Sequence, residues 1–138
     1  MSEKQDILPT ILLVEQDDET RPLLRYNLRS KGYRTIVALD EEDAIERTWG
    51  GRERPDVILL NQVKLSIDEF INMGRRIRQS AGFPSRTPIV VMAERYGAEM
   101  EGKDVRVSEC EYVTYPEDAQ QLMNLLHRLC CERSPDND

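Results

Sequence analysis

Polar side chains directly follow several short apolar runs in this chain of 138 residues. Glu15 and Gln16 follow TILLV, Asn61 follows DVILL, and Tyr115 closes the run EYVT, whereas Ala93 follows PIVVM. Carboxylates at such positions can act as nucleophiles or hold a hard cation such as magnesium. Only Glu15 among these residues carries a carboxylate, so any reaction at such a site would depend on that one group.

The apolar runs indicate the elements that position these residues. Five short runs, at 10–14, 35–39, 56–60, 88–92 and 111–114, are apolar or β-branched and alternate with amphipathic stretches. Strands that alternate with helices predict a parallel sheet with helices on both faces. We therefore predict a doubly wound, flavodoxin-like α/β fold with five strands in the order 2-1-3-4-5, and a site at the carboxyl ends of the strands. The residues expected in the core are Leu12, Val14, Val57, Leu59, Val90 and Val113.

Capping signals support the first three helices. Asp17 or Asp18 can cap the first and Asp40 the second, and Ser66 with Glu69 forms a capping-box pattern before the third. Gly32, which follows Lys31, is expected just after the end of the first helix.

The stretch 94–110 is the weakest part of the pattern. Gly97 and Gly102 interrupt it, and each glycine costs about 1 kcal/mol relative to alanine inside a helix. Val105 and Val107 alternate and do not repeat at helical spacing. We therefore predict that the fourth helix is short or irregular.

Composition excludes several classes of function. The formal net charge of −7 disfavours binding to nucleic acid and to anionic membranes. Apolar runs stay far below the roughly 18 residues of a membrane span. The N-terminus, MSEKQDILPT, lacks the apolar segment of a signal peptide. We expect a soluble, cytoplasmic protein.

The cysteines and the histidine do not form a chemical motif. Cys110, Cys130 and Cys131 are odd in number, which does not indicate a disulfide framework. Their spacing is not that of a zinc site, and no metal site is predicted. His127, the one histidine, lies in a leucine-rich helical stretch and is interpreted as a solvated helix residue.

The order and spacing of four segments carry a resemblance. LLVEQDDETR, PDVILLN, TPIVVMAER and EYVTYP are similar to the runs LVVDDD, PDLILLD, TPVIVLTA and DYLTKP of receiver domains, the response-regulator modules of two-component phosphorelay signalling. The resemblance covers roughly residues 9–131. It implies a receiver-like domain at 9–131, preceded by an extension at 1–8 and followed by a tail at 132–138 that we expect to be disordered.

The resemblance also implies what chemistry should occupy the strand ends. Receivers use an acidic pair, an acceptor aspartate, a hydroxyl and a lysine to form an aspartyl phosphate with magnesium. Here Glu15 and Gln16 stand at the positions of the acidic pair, and Gln16 is neutral. Asn61 stands at the acceptor position, and Ala93 and Tyr115 stand at the hydroxyl and lysine positions. An amide is not a competent nucleophile and a neutral phenol cannot cancel a phosphate's charge. We expect no cofactor, weak or absent magnesium binding, and a pseudo-receiver that is not an enzyme.

Two further features follow from the resemblance. Tyr112 matches the aromatic residue that receivers move between inward and outward positions. The bond between Tyr115 and Pro116 matches one that is cis in receivers, and we expect it to be cis here.

Three functions remain to be weighed. The first is an interaction module that binds a signalling protein without phosphorylation. A second is a receiver that is still switched by phosphate on another acidic residue, such as Asp17 or Asp18. The third, a nucleotide-binding enzyme, is disfavoured because QDDET would repel a phosphate and provides no glycine-rich loop.

The last helix is the predicted contact surface. With Leu122, Leu126 and Leu129 turned to the sheet, Met123 and Leu125 would add exposed apolar area for a partner, or for a homodimer through the same face. The basic run at 75–78 is interpreted as a solvated helix face.

Overall fold

The computed structural model describes residues 8–51 and 53–131, which form one mixed sheet between two layers of helices. The expected extension at 1–8, apart from Leu8, and the expected tail at 132–138 lie outside the described residues. The strands are β1 (Thr10–Val14), β2 (Arg34–Ala38), β3 (Val57–Asn61), β4 (Ile89–Met92), β5 (Lys103–Ser108) and β6 (Glu111–Tyr115). The helices are α1 (Thr20–Ser30), α2 (Glu41–Thr48), α3 (Ile67–Ser80) and α4 (Ala119–Cys131), with a 3₁₀ turn at Trp49–Gly51.

The sheet order is β2-β1-β3-β4-β6-β5. The first five strands of this order are parallel and reproduce the predicted order 2-1-3-4-5. The predicted count of five strands is wrong, because β5 adds a sixth strand antiparallel to β6 at the edge. β5 lies within the stretch where a short or irregular helix was expected. The alternation of Val105 and Val107 is a strand pattern, and it explains why no helix forms there.

The core has two layers, one on each face of the sheet. Residues of β1, β3 and β4 pack alternately against α2 and α3 on one face and against α1 and α4 on the other. All six predicted core residues are at most 2% exposed, so that prediction is confirmed.

The predicted helix ends are largely confirmed. The Asp40 carboxylate accepts from the backbone N–H of Asp43, and Ser66 and Glu69 form a complete capping box. Gly32 follows α1 with a φ of 95°, a conformation that glycine adopts without strain. Helix α1 begins later than predicted, at Thr20, and the Asp17 carboxylate accepts from the Thr20 backbone N–H and hydroxyl.

The prediction of an exposed apolar face on α4 is wrong. Met123 and Leu125 are 6% and 2% exposed, and both pack in the layer between the sheet and α1 and α4. Leu122, Leu125, Leu126 and Leu129 follow the spacing i, i+3, i+4, i+7, which places all four on one broad face toward the core. His127 on the other side of the helix is exposed, as expected.

A polar cluster fixes the additional strand to the rest of the domain. The buried Thr114 hydroxyl donates to the Asp104 carboxylate at 2.6 Å. Gln121 of α4 donates to the same carboxylate at 2.8 Å, and Arg128 contacts its second oxygen at 3.2 Å. Helix α4 therefore holds β5 against β6.

The basic run on α3 is solvated at two of its three arginines, and all three form ion pairs. Arg75 and Arg76 are exposed, as interpreted from the sequence, whereas the Arg78 side chain is only 14% exposed. Arg75 and Arg78 donate to the two carboxylate oxygens of Glu111, at 2.9 and 2.8 Å, and Arg76 pairs with Glu41 of α2. The Glu111 side chain is only 6% exposed. Burial alone would raise its pKa, but the two arginines outweigh that effect and lower the pKa below its usual value.

Replacing Glu111 with glutamine should reduce stability in a pH-dependent way. Because the folded pKa is depressed, the carboxylate stabilises the fold above its unfolded pKa, and this stabilisation is lost as the pH falls through the folded pKa. At pH 7 we expect a loss of about 1.5–3 kcal/mol, typical of hydrogen bonds to charged groups. Urea unfolding across the acid range should show the difference shrinking toward low pH. Glu109→Gln, at an exposed residue two positions away, is the control. At a pH where Glu111 is protonated in both the folded and the unfolded protein, the loss of stability should be small. A loss that stays as large there as at pH 7 would contradict this account.

Candidate functional site

Glu15 and Asn61 meet at the carboxyl ends of two neighbouring strands. The register pairs Val14 of β1 with Leu60 of β3, so the next residue along each strand reaches the same edge. The Asn61 side-chain amide donates to Oε1 of Glu15 at 2.7 Å, and the backbone N–H of Asp17 donates to Oε2 at 3.1 Å. Both carboxylate oxygens of Glu15 therefore have donors from the protein.

The Glu15 carboxylate is fully buried, with an exposure of 0%. Burial raises its pKa above the usual value, and the nearby Asp17 carboxylate adds to the increase. The two hydrogen bonds and the Arg21 guanidinium act in the opposite direction without cancelling the effect of burial. Glu15 is thus the chemically unusual group of the site.

Asp17 and Asp18 are engaged within the loop that follows β1. Asp17 bonds to Thr20, and these bonds lower its pKa. Asp18 pairs with Arg21 at 2.8 Å and its side chain is 91% exposed. The same arginine donates to the backbone carbonyls of Glu15 and Gln16, which orders the loop between β1 and α1. The Gln16 side chain is exposed.

Ala93 and Tyr115 lie at the ends of β4 and β6. Ala93 is 7% exposed and its backbone N–H donates to the Thr114 carbonyl at 3.0 Å, so its methyl group occupies a buried place without a polar function. The ring of Tyr115 packs edge-to-face on Tyr96, with centroids 5.4 Å apart and planes at 76°. The Tyr96 phenol in turn donates to the Pro116 carbonyl. An aromatic pair thus occupies this corner of the site.

The predicted cis bond between Tyr115 and Pro116 is wrong, because this peptide is trans. Tyr115 is the last residue of β6 and pairs with Lys103 of the added strand. Its carbonyl accepts from the backbone N–H of Gly102 at 2.7 Å. The β5–β6 hairpin therefore determines the backbone geometry before Pro116.

Hydrogen bonds join the loops that follow β3 and β4. The Gln62 side chain accepts from the Glu94 backbone N–H at 2.8 Å and donates to the Leu65 carbonyl at 2.9 Å. The Glu94 carboxylate accepts from the backbone N–H of Lys64, which has a positive φ of 71°. Sequence reasoning missed Gln62 and Glu94, since single polar residues in loops give no pattern to detect.

Tyr112 lies half-buried on the face of the sheet that packs against α1 and α4. It thus lies on a strand beside the site, and its role as the movable aromatic residue stays a prediction. Within residues 8–51 and 53–131, no cluster of three His, Cys, Asp or Glu side chains is arranged to hold a metal ion. Weak magnesium binding stays a prediction that only a binding measurement can test.

Part of the chain resembles curated proteins in sequence. A scan against models of known protein families gives no match. The sequence is 33% identical over 88 residues to the transcriptional regulatory protein AfsQ1 of Streptomyces coelicolor, covering 64% of this chain and 36% of that protein. The chain therefore spans about a third of that relative's length.

Solved structures establish the fold. A response regulator from Thermotoga maritima superposes with a TM-score of 0.64 at 18% identity, covering 90% of this chain and 98% of that one. The receiver domain of the sensor histidine kinase PA1611 from Pseudomonas aeruginosa, with magnesium in its active-site cleft, gives a TM-score of 0.61 at 24% identity, covering 90% and 98%. The chain therefore has the fold of the receiver domains of two-component response regulators. Among the described residues, no helix is long and apolar enough to cross a membrane.

Proposed function

We propose that this receiver domain acts through protein contacts that do not depend on an aspartyl phosphate. The observation that carries the proposal is the 2.7 Å hydrogen bond from the Asn61 amide to Glu15. Asn61 stands where the family resemblance puts the acceptor aspartate. An acyl phosphate requires an anionic oxygen that attacks phosphorus, and an amide does not provide one.

The other positions support the same conclusion. Phosphoryl transfer depends on positive charge and hydrogen-bond donors placed around the phosphoryl oxygens. Ala93 has no hydroxyl, and Tyr115 brings an uncharged ring that packs on Tyr96. Tyr115 therefore brings no positive charge to the position of the lysine in an active receiver.

Weak or absent magnesium binding is part of the proposal. Magnesium binds through carboxylate oxygens, and the PA1611 receiver holds it in its active-site cleft. Here Glu15 already accepts hydrogen bonds at both oxygens, and one Asp17 oxygen accepts two from Thr20. Gln16 adds no charge. A cation would have to compete with these hydrogen bonds to bind.

The domain is therefore proposed to signal as a folded surface, with a protein of a signalling pathway as its partner. We propose no enzymatic activity. The rival function, phosphorylation of Asp17 or Asp18, would place a phosphoryl group on residues already bound to Thr20 or Arg21.

A titration with beryllium fluoride and magnesium tests the proposal, because this phosphoryl mimic needs an aspartate carboxylate and a cation. We expect the backbone amide resonances of Glu15, Asn61 and Ala93 to stay unchanged. The variant that carries Gln16→Asp, Asn61→Asp, Ala93→Thr and Tyr115→Lys is the matched control and should shift. Saturable shifts at these amides in the unaltered protein would refute the proposal, whereas shifts confined to Asp17 and Asp18 would favour the rival.

A further inference from the structure

The outer edge of β2 is open among the described residues. β2 pairs only with β1 and forms one end of the sheet. The Arg34 backbone N–H donates to the Pro9 carbonyl, and the Ala38 carbonyl accepts from Glu15, so both residues direct their backbone groups toward β1. Backbone groups alternate in direction along a strand. The N–H and C=O groups of Thr35 and Val37 therefore point outward, where they can pair with another strand.

Two connected grooves run along this edge. One is lined by Thr35, Ile36 and Val37 of β2 together with side chains from α1 on one side and α2 on the other. The second continues past Thr35 and Ile36 toward Leu8. Leu39 and Leu8, at opposite ends, are 47% and 44% exposed, so both ends offer apolar contact.

The walls of the grooves are basic, although the whole chain has a net charge of −7. Among the described residues that line the two grooves, Glu53 is the one acidic residue, against five arginines. Two of the five are paired, Arg21 with Asp18 and Arg47 with Asp43. The other three form no ion pair with any described residue: Arg25, Arg29 and Arg34.

We propose that the β2 edge binds an extended, acidic segment of a partner protein, which adds to the sheet as a further strand. Main-chain hydrogen bonds to Thr35 and Val37 would hold the segment, and the three free arginines would select its carboxylates. The inference rests on the proposed function, because it gives the interaction module a surface and a chemical class of partner.

Other occupants fit less well. A second copy of the chain that paired β2 with β2 would bring two Arg34 side chains and their neighbouring arginines together, and like charges oppose such pairing. Nucleic acid would meet a basic groove on an otherwise acidic molecule, which its phosphates would avoid. An acidic peptide can pair its carboxylates with the arginines and its main chain with the outward N–H and C=O groups of β2.

The probe is a fluorescein-labelled peptide in which glutamate alternates with valine, with a glutamine-for-glutamate version as its control. We expect the unaltered protein to bind the acidic peptide, measured by fluorescence anisotropy, and binding to weaken with added salt. The variant Arg25→Glu with Arg34→Glu should bind at least about tenfold more weakly. Arg86→Glu with Arg95→Glu, at exposed arginines far from β2, is the matched control and should bind normally.

A backbone variant tests the added strand itself. Thr35→Pro removes one outward N–H without removing charge, and proline is tolerated at the outer side of an edge strand. It should also weaken binding, and amide shifts on adding the peptide should centre on Thr35 and Val37. The inference would be overturned if the acidic peptide did not bind, or if neither variant weakened its binding. It would also be overturned if the glutamine peptide bound equally well, or if an oligonucleotide of equal charge bound more tightly. Dimerisation through β2 at the same salt concentration would overturn it as well.

None of these results bears on phosphorylation at residue 61, so the proposed function can stand if this inference fails.

Discussion

Asn61→Asp on its own should leave the domain unphosphorylated by acetyl phosphate and magnesium over minutes. The new carboxylate would replace a hydrogen-bond donor that lies 2.7 Å from Glu15. Two carboxylates at that distance cannot both ionise easily, so one would hold a proton and lose nucleophilicity. The substitution therefore creates repulsion at the site and does not by itself create a nucleophile.

The missing partners enlarge the deficit. Each absent charge-stabilising contact costs about 10²–10³ in rate, by analogy with oxyanion-hole donors, although such losses do not add simply. Gln16, Ala93 and Tyr115 each leave one contact missing. Adding Gln16→Asp, Ala93→Thr and Tyr115→Lys to Asn61→Asp should therefore raise the phosphorylation rate by several orders of magnitude.

Intact-mass spectrometry of both variants in parallel checks this prediction. Stoichiometric phosphorylation of the single variant at residue 61 within minutes would show that the surrounding substitutions matter little. A restored variant that folds but takes up no phosphate would point instead to the β5–β6 hairpin, which holds the backbone at Tyr115.

Leu125→Ala should destabilise the domain by about 2–5 kcal/mol, the usual range for a buried leucine. Leu125 is 2% exposed and packs in the layer between the sheet and α1 and α4. Truncation would leave a cavity in that layer. The urea midpoint should fall with little change in the slope of the transition.

Leu23→Ala is the matched control for Leu125→Ala. Leu23 lies on α1 and is 65% exposed, so its truncation should change stability by about 0.5 kcal/mol or less. If Leu125→Ala were equally mild, α4 would present Leu125 to solvent or to a partner, and the packing described here would be wrong.

The parallel sheet could be predicted because its signals are local. Apolar runs such as those ending at Val14 and Leu60 identify buried strands, and Asp40 and Ser66 mark helix starts through the backbone N–H groups they accept. These signals depend on neighbours in sequence, so they remain readable without tertiary structure.

The additional strand could not be placed with the same means. Lys103–Ser108 contains two charged residues, Lys103 and Asp104, before its first valine, and three of its side chains are exposed. Its position depends on distant contacts, above all the bonds among Asp104, Thr114 and Gln121.

The candidate site was predictable in its positions and not in its contacts. Strand ends identified Glu15, Asn61, Ala93 and Tyr115, because the carboxyl ends of parallel strands share one edge. The bond between Glu15 and Asn61 joins residues 46 positions apart, and side-chain geometry decides it. The ion cluster at Glu111 was missed for the same reason, since α3 and β6 meet only in the folded chain.

Exposure of the unaltered protein to acetyl phosphate with magnesium, followed by intact-mass and peptide mass spectrometry, tests the central claim most directly. The account predicts that the mass stays unchanged and that Asn61, Asp17 and Asp18 carry no phosphoryl group. The variant that combines four substitutions should gain one phosphoryl group under the same conditions: Gln16→Asp, Asn61→Asp, Ala93→Thr and Tyr115→Lys. A phosphoryl group on the unaltered chain, at any residue and with a change in binding to a partner, would contradict the account.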